Sequence, residues 1–360
     1  MSKRIGVLTG GGDCPGLNAA IRAVVLHAEV TLGWDAIGIE DGFSGMVEAR
    51  YVDLTPRSVA HLIARGGTVL GSSNRANPFH YPIKKPHGGE EIRDVSDLCV
   101  ANLAVLDLEG LVLIGGDGTM SIGQKLMAKG LKVVGVPKTI DNDLAATEYT
   151  VGFQTAVEVA SEAIDRLHTT AESHDRIIIC EVMGRYAGWI AMSAGLAAAA
   201  DVILIPEIDY DLDRVIAHLA RKHEGGNSYS IVVVAEGAKP KGGGHAVLRK
   251  GDATQQERLG GAGHALAEVI AARTDYDVRV TVLGHLQRGG TPCAFDRLLA
   301  TRFGAHAVDL IRDGRFGEVA ALRSGEIVSA PLDQAVAKLK LVDPDGDIVR
   351  SARALGVELG

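Results

Sequence analysis

Residues 131–144 read LKVVGVPKTIDNDL, and where this stretch sits decides how the rest of the chain is organised. Val133, Val134 and Val136 form an apolar, β-branched run without polar alternation, which predicts a strand over 131–136 covered on both faces. Pro137 ends it, because proline lacks a donor and fixes φ. Lys138, Thr139, Asp141 and Asp143 then fall together at the carboxyl end of the strand, where open α/β sheets bind ligands. Carboxylates at i and i+2 repel each other and each needs partners, so the cluster points to chemistry, with a solvated Asp-rich turn as the alternative.

The same arrangement recurs along the chain. Ile5 to Leu8 runs into GGGDCPG and a helix-like 17–27, and Leu111 to Ile114 runs into GGDGT and a helix-like 120–128. Ile177 to Val182 leads to MGRYAG, and Val202 to Ile205 to PEIDYD before an amphipathic 212–223. Ile231 to Ala235 leads to EGAKPKGGGH, and Val278 to Leu283 to GHLQRGGTP. Apolar runs alternating with helical patterns predict βαβ units around parallel sheets. The strands outnumber what one sheet of about 150 residues needs. The expected fold class is therefore α/β, with two doubly wound, Rossmann-like lobes of mainly parallel strands.

Composition narrows the function. The chain has 360 residues, 46% hydrophobic and 23% charged, without an apolar run long enough to span a bilayer. A net charge of -8 argues against a nucleic-acid partner while leaving room for a local basic pocket that takes a small anion. Cys14, Cys99, Cys180 and Cys293 make no CxxC pair, so neither a disulfide framework nor a zinc site is expected, and a reducing cytoplasm fits. The opening MSKRIGVLTGGG has too short an apolar part for a signal peptide and is expected to be a strand.

The turns carry the chemistry. Gly10 to Asp13 after a strand presents amides at a helix start, either an anion site or simply a tight turn; it is neither GxxxxGK[ST] nor GxGxxG. Gly115 to Thr119 repeats the arrangement with an acid, so that Thr119 can donate to a phosphate and Asp117 can either hold Mg²⁺ or serve as a turn or cap residue. Arg176, Arg185, Arg279, His285 and Arg288 all fall at strand ends, and guanidinium forks suit a phosphorylated small substrate. Glu236 ends the strand IVVVA and suits sugar hydroxyls. Cys180, Phe153 and Trp189 read as core or pocket-wall residues, and His168 and His174 as structural.

The segments GGGDCPGLNAAIR, RGGTVLGSSNRANP, GGDGT, PKTIDNDL, GFQTA, SHDRI, VMGRYAGW, VAEG and RVTVLGHLQRGGTP, in this order, resemble the phosphofructokinase family from about Ile5 to about Ala307. The resemblance implies transfer of the γ-phosphoryl group of ATP to the 1-hydroxyl of fructose 6-phosphate, with Mg²⁺. It implies Asp141 as base, Thr139 orienting the transferred group, Arg185 beside them, and Asp117 at the metal with Asp143 close by. Gly11, Gly12, Arg75, Gly116, Asp117, Gly118 and Thr119 would hold the donor. Thr139, Ile140, Asp141, Met183, Gly184, Arg185, Glu236, His285, Leu286, Gln287 and Arg288 would hold the sugar phosphate. Arg176 and Arg279 would reach a neighbouring subunit's site, implying a homo-oligomer, dimer or tetramer. The lobes implied are 1–150 with about 286–335 on the donor side, and about 151–285 with 336–360 on the sugar-phosphate side, the active site lying in the cleft between them.

Two positions bear on the donor. Pyrophosphate-using members typically carry aspartate at the place of Gly118, where it fills the space of the nucleotide's α-phosphate; glycine leaves that space open. Lys138, by contrast, is typical of the pyrophosphate class. Glycine at 118 weighs more, because aspartate excludes one donor whereas lysine helps either, so ATP is the expected donor and pyrophosphate the alternative. The segment GSSNRANP is one residue longer than the commoner form around Arg75. Allosteric bacterial members place basic residues for an effector phosphate; Arg22 is kept, but the matching places hold Leu26, Pro56 followed by Arg57, His168 and 225–228. Other classes sharing part of this text are NAD or lipid kinases with GGDGT and a non-catalytic sugar-phosphate sensor.

Overall fold

The computed structural model describes residues 2–85, 88–251 and 257–360. The strands are β1 (Arg4–Thr9), β2 (Asp35–Ile39), β3 (Tyr51–Leu54), β4 (Tyr81–Lys84), β5 (Glu90–Arg93), β6 (Leu108–Gly115), β7 (Val133–Pro137) and β8 (Ile177–Val182). They continue as β9 (Val202–Leu204), β10 (Ser230–Ala235), β11 (Val247–Arg249), β12 (Arg258–Leu259), β13 (Val278–Val282), β14 (Glu318–Arg323) and β15 (Glu326–Pro331). A seven-stranded sheet has the order β15-β14-β7-β6-β1-β2-β3, and a four-stranded sheet the order β13-β8-β10-β9. The small sheet is parallel throughout, and the large one is parallel except at its edges, where β3 and β15 run antiparallel. The expected α/β architecture is thus present as two sheets.

The central strands are buried along nearly their whole length, which explains why they read as unbroken apolar runs. β7 extends to Pro137, one residue past the predicted end. Proline is tolerated in that last position because no ladder donor is needed there. The helix Phe153–Glu172 packs its Phe153, Ala156, Ala160 and Ile164 stripe into the largest core cluster. Gly16 starts the helix Leu17–Leu26 at φ +104, and a Cβ there would lie 2.6 Å from Val151. Cys180 is buried, and burial pushes its thiol up to about 12, as expected of a core thiol. Among the described residues, no helix is long and apolar enough to cross a membrane.

The C-terminal segment spans both sheets. After β15 and the helix Leu332–Val336 the chain leaves the large sheet, passes the loop that follows β7, and ends beside the small sheet through a bridge between Val202 and Glu358.

Candidate active site

Loops after β1, β6 and β7 of the large sheet and after β8, β10 and β13 of the small sheet line one cleft of about 940 Å³. Strand carboxyl ends of two sheets meeting over one cavity is the ligand position of open α/β folds.

The large-sheet side is made mainly of backbone. A Cβ on Gly10 would lie 2.5 Å from Thr119 Oγ1, and one on Gly12 would lie 3.0 Å from Arg288 Nη1. Gly11 has φ +77, which favours glycine on conformational grounds. The carbonyls of this turn are drawn off by protein donors: Lys138 Nζ donates to Gly10 O at 3.0 Å and also to Gly12 O, and Ser72 Oγ donates to Gly11 O. The Gly11 and Gly12 amides are left to meet an anion. Lys138 is buried, and burial lowers its pKa, opposed by Cys14 and Asp13 and reinforced by Arg288.

After β6 the helix Asp117–Met127 begins at Asp117, three residues before the expected Met120. Gly118, a weak helix former, hides this start in the sequence, while Asp117 suits the positive end of the helix dipole. Gly118 and Thr119 therefore form the first turn, whose amides lack intrahelical acceptors. A Cβ on Gly118 would meet nothing within 4 Å.

The loop after β7 is ordered by its own side chains. Thr150 Oγ1 donates to Thr139 O at 2.6 Å, Asn142 Oδ1 accepts from Thr150 N at 3.1 Å, and Asp141 N donates to Thr139 Oγ1 at 3.1 Å. Asn142 adopts φ +52, a region asparagine tolerates better than most residues. Asp141 is buried, and its Oδ1 has no hydrogen-bond partner. Burial pushes its carboxyl above the usual range, while Arg288 and Arg185 pull it down and Asp117 pushes it further up. Asp143 is driven to about 7, chiefly by burial and then by Asp141 and Asp117. The solvated-turn alternative does not describe this loop.

The small-sheet side is made of side chains. Arg185 sits at φ +52 and its amide donates to Glu236 Oε1 at 3.0 Å. A Cβ on Gly237 would stand 1.9 Å from Arg185 O, so that position admits only glycine without rearrangement. Burial pushes Glu236 up to about 7, opposed by the Arg185 amide. Arg288 crosses toward the glycine turn after β1, its Nη1 donating to Asp13 O at 3.3 Å.

Among the described residues no group of three or more His, Cys, Asp or Glu forms a ready-made metal site. Like charge from Asp117 nevertheless raises the titration of Asp141, and Asp141 and Asp117 together raise that of Asp143, which a divalent cation would relieve. The residues fit Mg²⁺, a cation held by one or two carboxylates with substrate phosphates and water.

The profile of the family described as Phosphofructokinase matches residues 4–311. The chain belongs to the phosphofructokinase family. It is 47% identical to an "ATP-dependent 6-phosphofructokinase 2" of Clostridium perfringens over 358 residues, covering 99% of this chain and 98% of that protein. It is 52% identical to a "Pyrophosphate--fructose 6-phosphate 1-phosphotransferase" of Streptomyces coelicolor over 344 residues, covering 95% and 96%. Among solved structures, Pichia pastoris phosphofructokinase in the T-state superposes with a TM-score of 0.80 at 30% identity, over 94% of this chain and 36% of that one.

Within this phosphofructokinase cleft the structure brings together Gly11, Gly12, Arg75, Gly116, Asp117, Gly118, Thr119, Lys138, Thr139, Asp141, Met183, Arg185, Glu236, His285 and Arg288. Ile140 and Gln287 have buried side chains, Ile140 in the core and Gln287 Nε2 donating to Gly284 O at 3.1 Å, so only their backbones can face a ligand. Gly184, at φ +140, shapes the turn before Arg185, and Leu286 is 68% exposed; neither lines the cleft. Arg176 and Arg279 are also absent from its lining and both pair with Asp277. Sequence reasoning missed Glu181, which accepts from the amides of Gly261 at 3.1 Å and Gly263 at 2.8 Å, because a glutamate inside IIICEV looks like a strand residue. It also missed Leu248 and Arg249 of β11, Glu257, and Arg258 of β12, which line the cleft.

Proposed function

We propose that the cleft transfers the γ-phosphoryl group of MgATP to the 1-hydroxyl of fructose 6-phosphate, giving fructose 1,6-bisphosphate and ADP. The observation that carries this reading is the buried Asp141 carboxylate. Its Oδ1 has no protein partner, and it lines the same cleft as the glycine turns of the large sheet and Arg185 and Arg288 of the small-sheet side. The sugar oxygen attacks the γ-phosphorus, its proton passes to Asp141, and the bond to the ADP oxygen breaks. Bound Mg²⁺, with Asp117 as its first carboxylate, supplies neutralisation of phosphate charge. The amides of Gly11, Gly12 and 116–119 hold the donor phosphates, Thr139 orients the transferred group, and Arg185, Glu236, His285 and Arg288 hold the sugar phosphate. Such a reaction needs positioning and charge neutralisation more than covalent help.

Open space at Gly118 supports ATP as donor, because no side chain occupies the region beside the first helical turn. Lys138 and the 52% identity to a pyrophosphate enzyme favour the second reading, with pyrophosphate as donor. The engagement of Lys138 with the Gly10 and Gly12 carbonyls weakens that argument, since the lysine has a structural task whichever donor binds. A coupled assay with fructose 6-phosphate, Mg²⁺ and each donor in turn decides it: ATP turnover well above pyrophosphate turnover is expected, and the reverse order overturns the donor assignment.

The oligomer belongs to the same proposal. Arg176 and Arg279 lie outside the cleft of their own chain, and Leu286, Phe295 and Leu298, after Arg279 in the sequence, leave apolar surface exposed. We take this face to meet a second copy whose cleft receives the two arginines, in a cytoplasmic enzyme. His168 is committed to Ala198 O at 2.7 Å and is not free to hold an effector phosphate.

A further inference from the structure

The segment around Lys340 lies outside the cleft lining and carries no role in the reaction above, yet it touches both halves of the site. Lys340 Nζ donates to Asn142 Oδ1 at 2.9 Å, Thr147 O at 2.8 Å and Glu148 O at 2.8 Å. All three ammonium donors are thus spent on the loop that carries Asp141 and Asp143. The backbone adds a second tie: Lys340 N donates to Asp143 O at 2.8 Å, and Leu339 bridges Leu144 in antiparallel sense.

The same residue reaches the sugar side. Trp189 Nε1, directly after the Met183–Gly188 turn, donates to Lys340 O at 2.7 Å. Two residues on, Val342 N donates to Glu207 Oε1 at 2.8 Å, and the Glu207 carboxylate also takes the Gly188 amide at 2.9 Å. The chain on either side is anchored to different sheets, through β15 before it and Glu358 after it. A strap fixed at both ends therefore crosses between the loop holding the base and the turn holding Arg185.

We propose that Lys340 is a positioning residue for phosphoryl transfer, holding the Asp141–Asp143 loop in register with the Met183–Arg185 turn. The inference rests on the phosphoryl-transfer reading. Lys340 touches no reacting atom; it sets the distance between the base and the bound sugar. Misplacement of a catalytic group by about 1 Å can cost about 100-fold in rate while leaving ground-state contacts largely intact. The effect should therefore fall on kcat.

The test is steady-state kinetics of Lys340→Met and Trp189→Phe with fructose 6-phosphate, Mg²⁺ and the better of ATP or pyrophosphate, each variant assayed well below its melting temperature. Lys340→Met should lose about 10- to 100-fold in kcat with KM for the sugar phosphate within about 3-fold of wild type. Trp189→Phe, which keeps the ring and removes one bond of the strap, should show the same split at a smaller factor. Ethylammonium should restore part of the lost kcat in Lys340→Ala, and tetramethylammonium at equal ionic strength should not. A folded Lys340→Met with wild-type kcat overturns the inference, as does a rise in KM alone. If Lys340→Met does not fold, an unchanged kcat in Trp189→Phe overturns it. A wild-type protein inactive with both donors overturns the functional reading instead, so the two failures are distinguishable.

Discussion

The two sides of the cleft are built from different material. The donor side uses backbone: Gly11, Gly12 and the first turn of Asp117–Met127 offer amides, and glycine keeps them approachable. The acceptor side uses side chains, with Arg185, Glu236, His285 and Arg288 projecting from the ends of three parallel strands. The donor side is therefore broken by adding atoms, whereas the acceptor side is broken by removing them. Asp141 stands at the seam, buried and without a partner for Oδ1.

The largest loss is expected at the seam. Asp141→Asn should fold normally and lose about 10²- to 10⁴-fold in kcat with little change in KM, because removal of a positioned base typically costs that much. Comparable kcat in the variant would remove Asp141 from its role. On the donor side, Gly118→Asp adds a charge where the chain now leaves space. ATP KM should rise at least about tenfold through like-charge repulsion while pyrophosphate turnover falls less; equal losses with both donors would contradict the reading of that position. On the acceptor side, removing the Arg279 guanidinium should raise KM for fructose 6-phosphate by roughly tenfold, the worth of one charged hydrogen bond, with Tm nearly unchanged. A normal KM would show that this arginine serves only its pair with Asp277.

The smallest effect is on stability. Burial raises the Glu236 carboxyl to about 7, so the ligand-free protein holds it protonated at low pH and loses stability as pH rises from the ordinary carboxylate range through about 7. Glu236→Gln keeps an acceptor for the Arg185 amide and removes the charge. In EDTA at pH 8, Tm should rise by about 2 to 4 °C, while near pH 4 the two proteins should melt alike. A lower Tm at pH 8 would mean that the ionised carboxylate stabilises the site.

The same contrast explains what the sequence disclosed. Glycine-rich turns after apolar runs are local signals, so GGGDCPG, GGDGT and the parallel strands around them were legible, as was the charged loop after β7. The helix start at Asp117 was obscured by Gly118, which reads as a breaker although it sits in a first turn where dipole and acid agree. Lys340 and Glu207 were not legible at all. Asn142 lies 198 residues from Lys340 and Val342 lies 135 from Glu207, and nothing in LKLVDP or PEIDYD distinguishes a buried strap from ordinary surface. Glu181 was hidden for a related reason: its partners at Gly261 and Gly263 belong to a helix start far along the chain.

Phosphorus NMR of the protein with MgATP and fructose 6-phosphate should show a new phosphate ester at the sugar's 1-position appearing in equal amount with ADP, and both forming about 10²- to 10⁴-fold more slowly when Asp141→Asn replaces the wild type. ADP released as free phosphate forms, without a sugar ester, or transfer to another hydroxyl, would contradict the placement of Asp141 between donor and sugar.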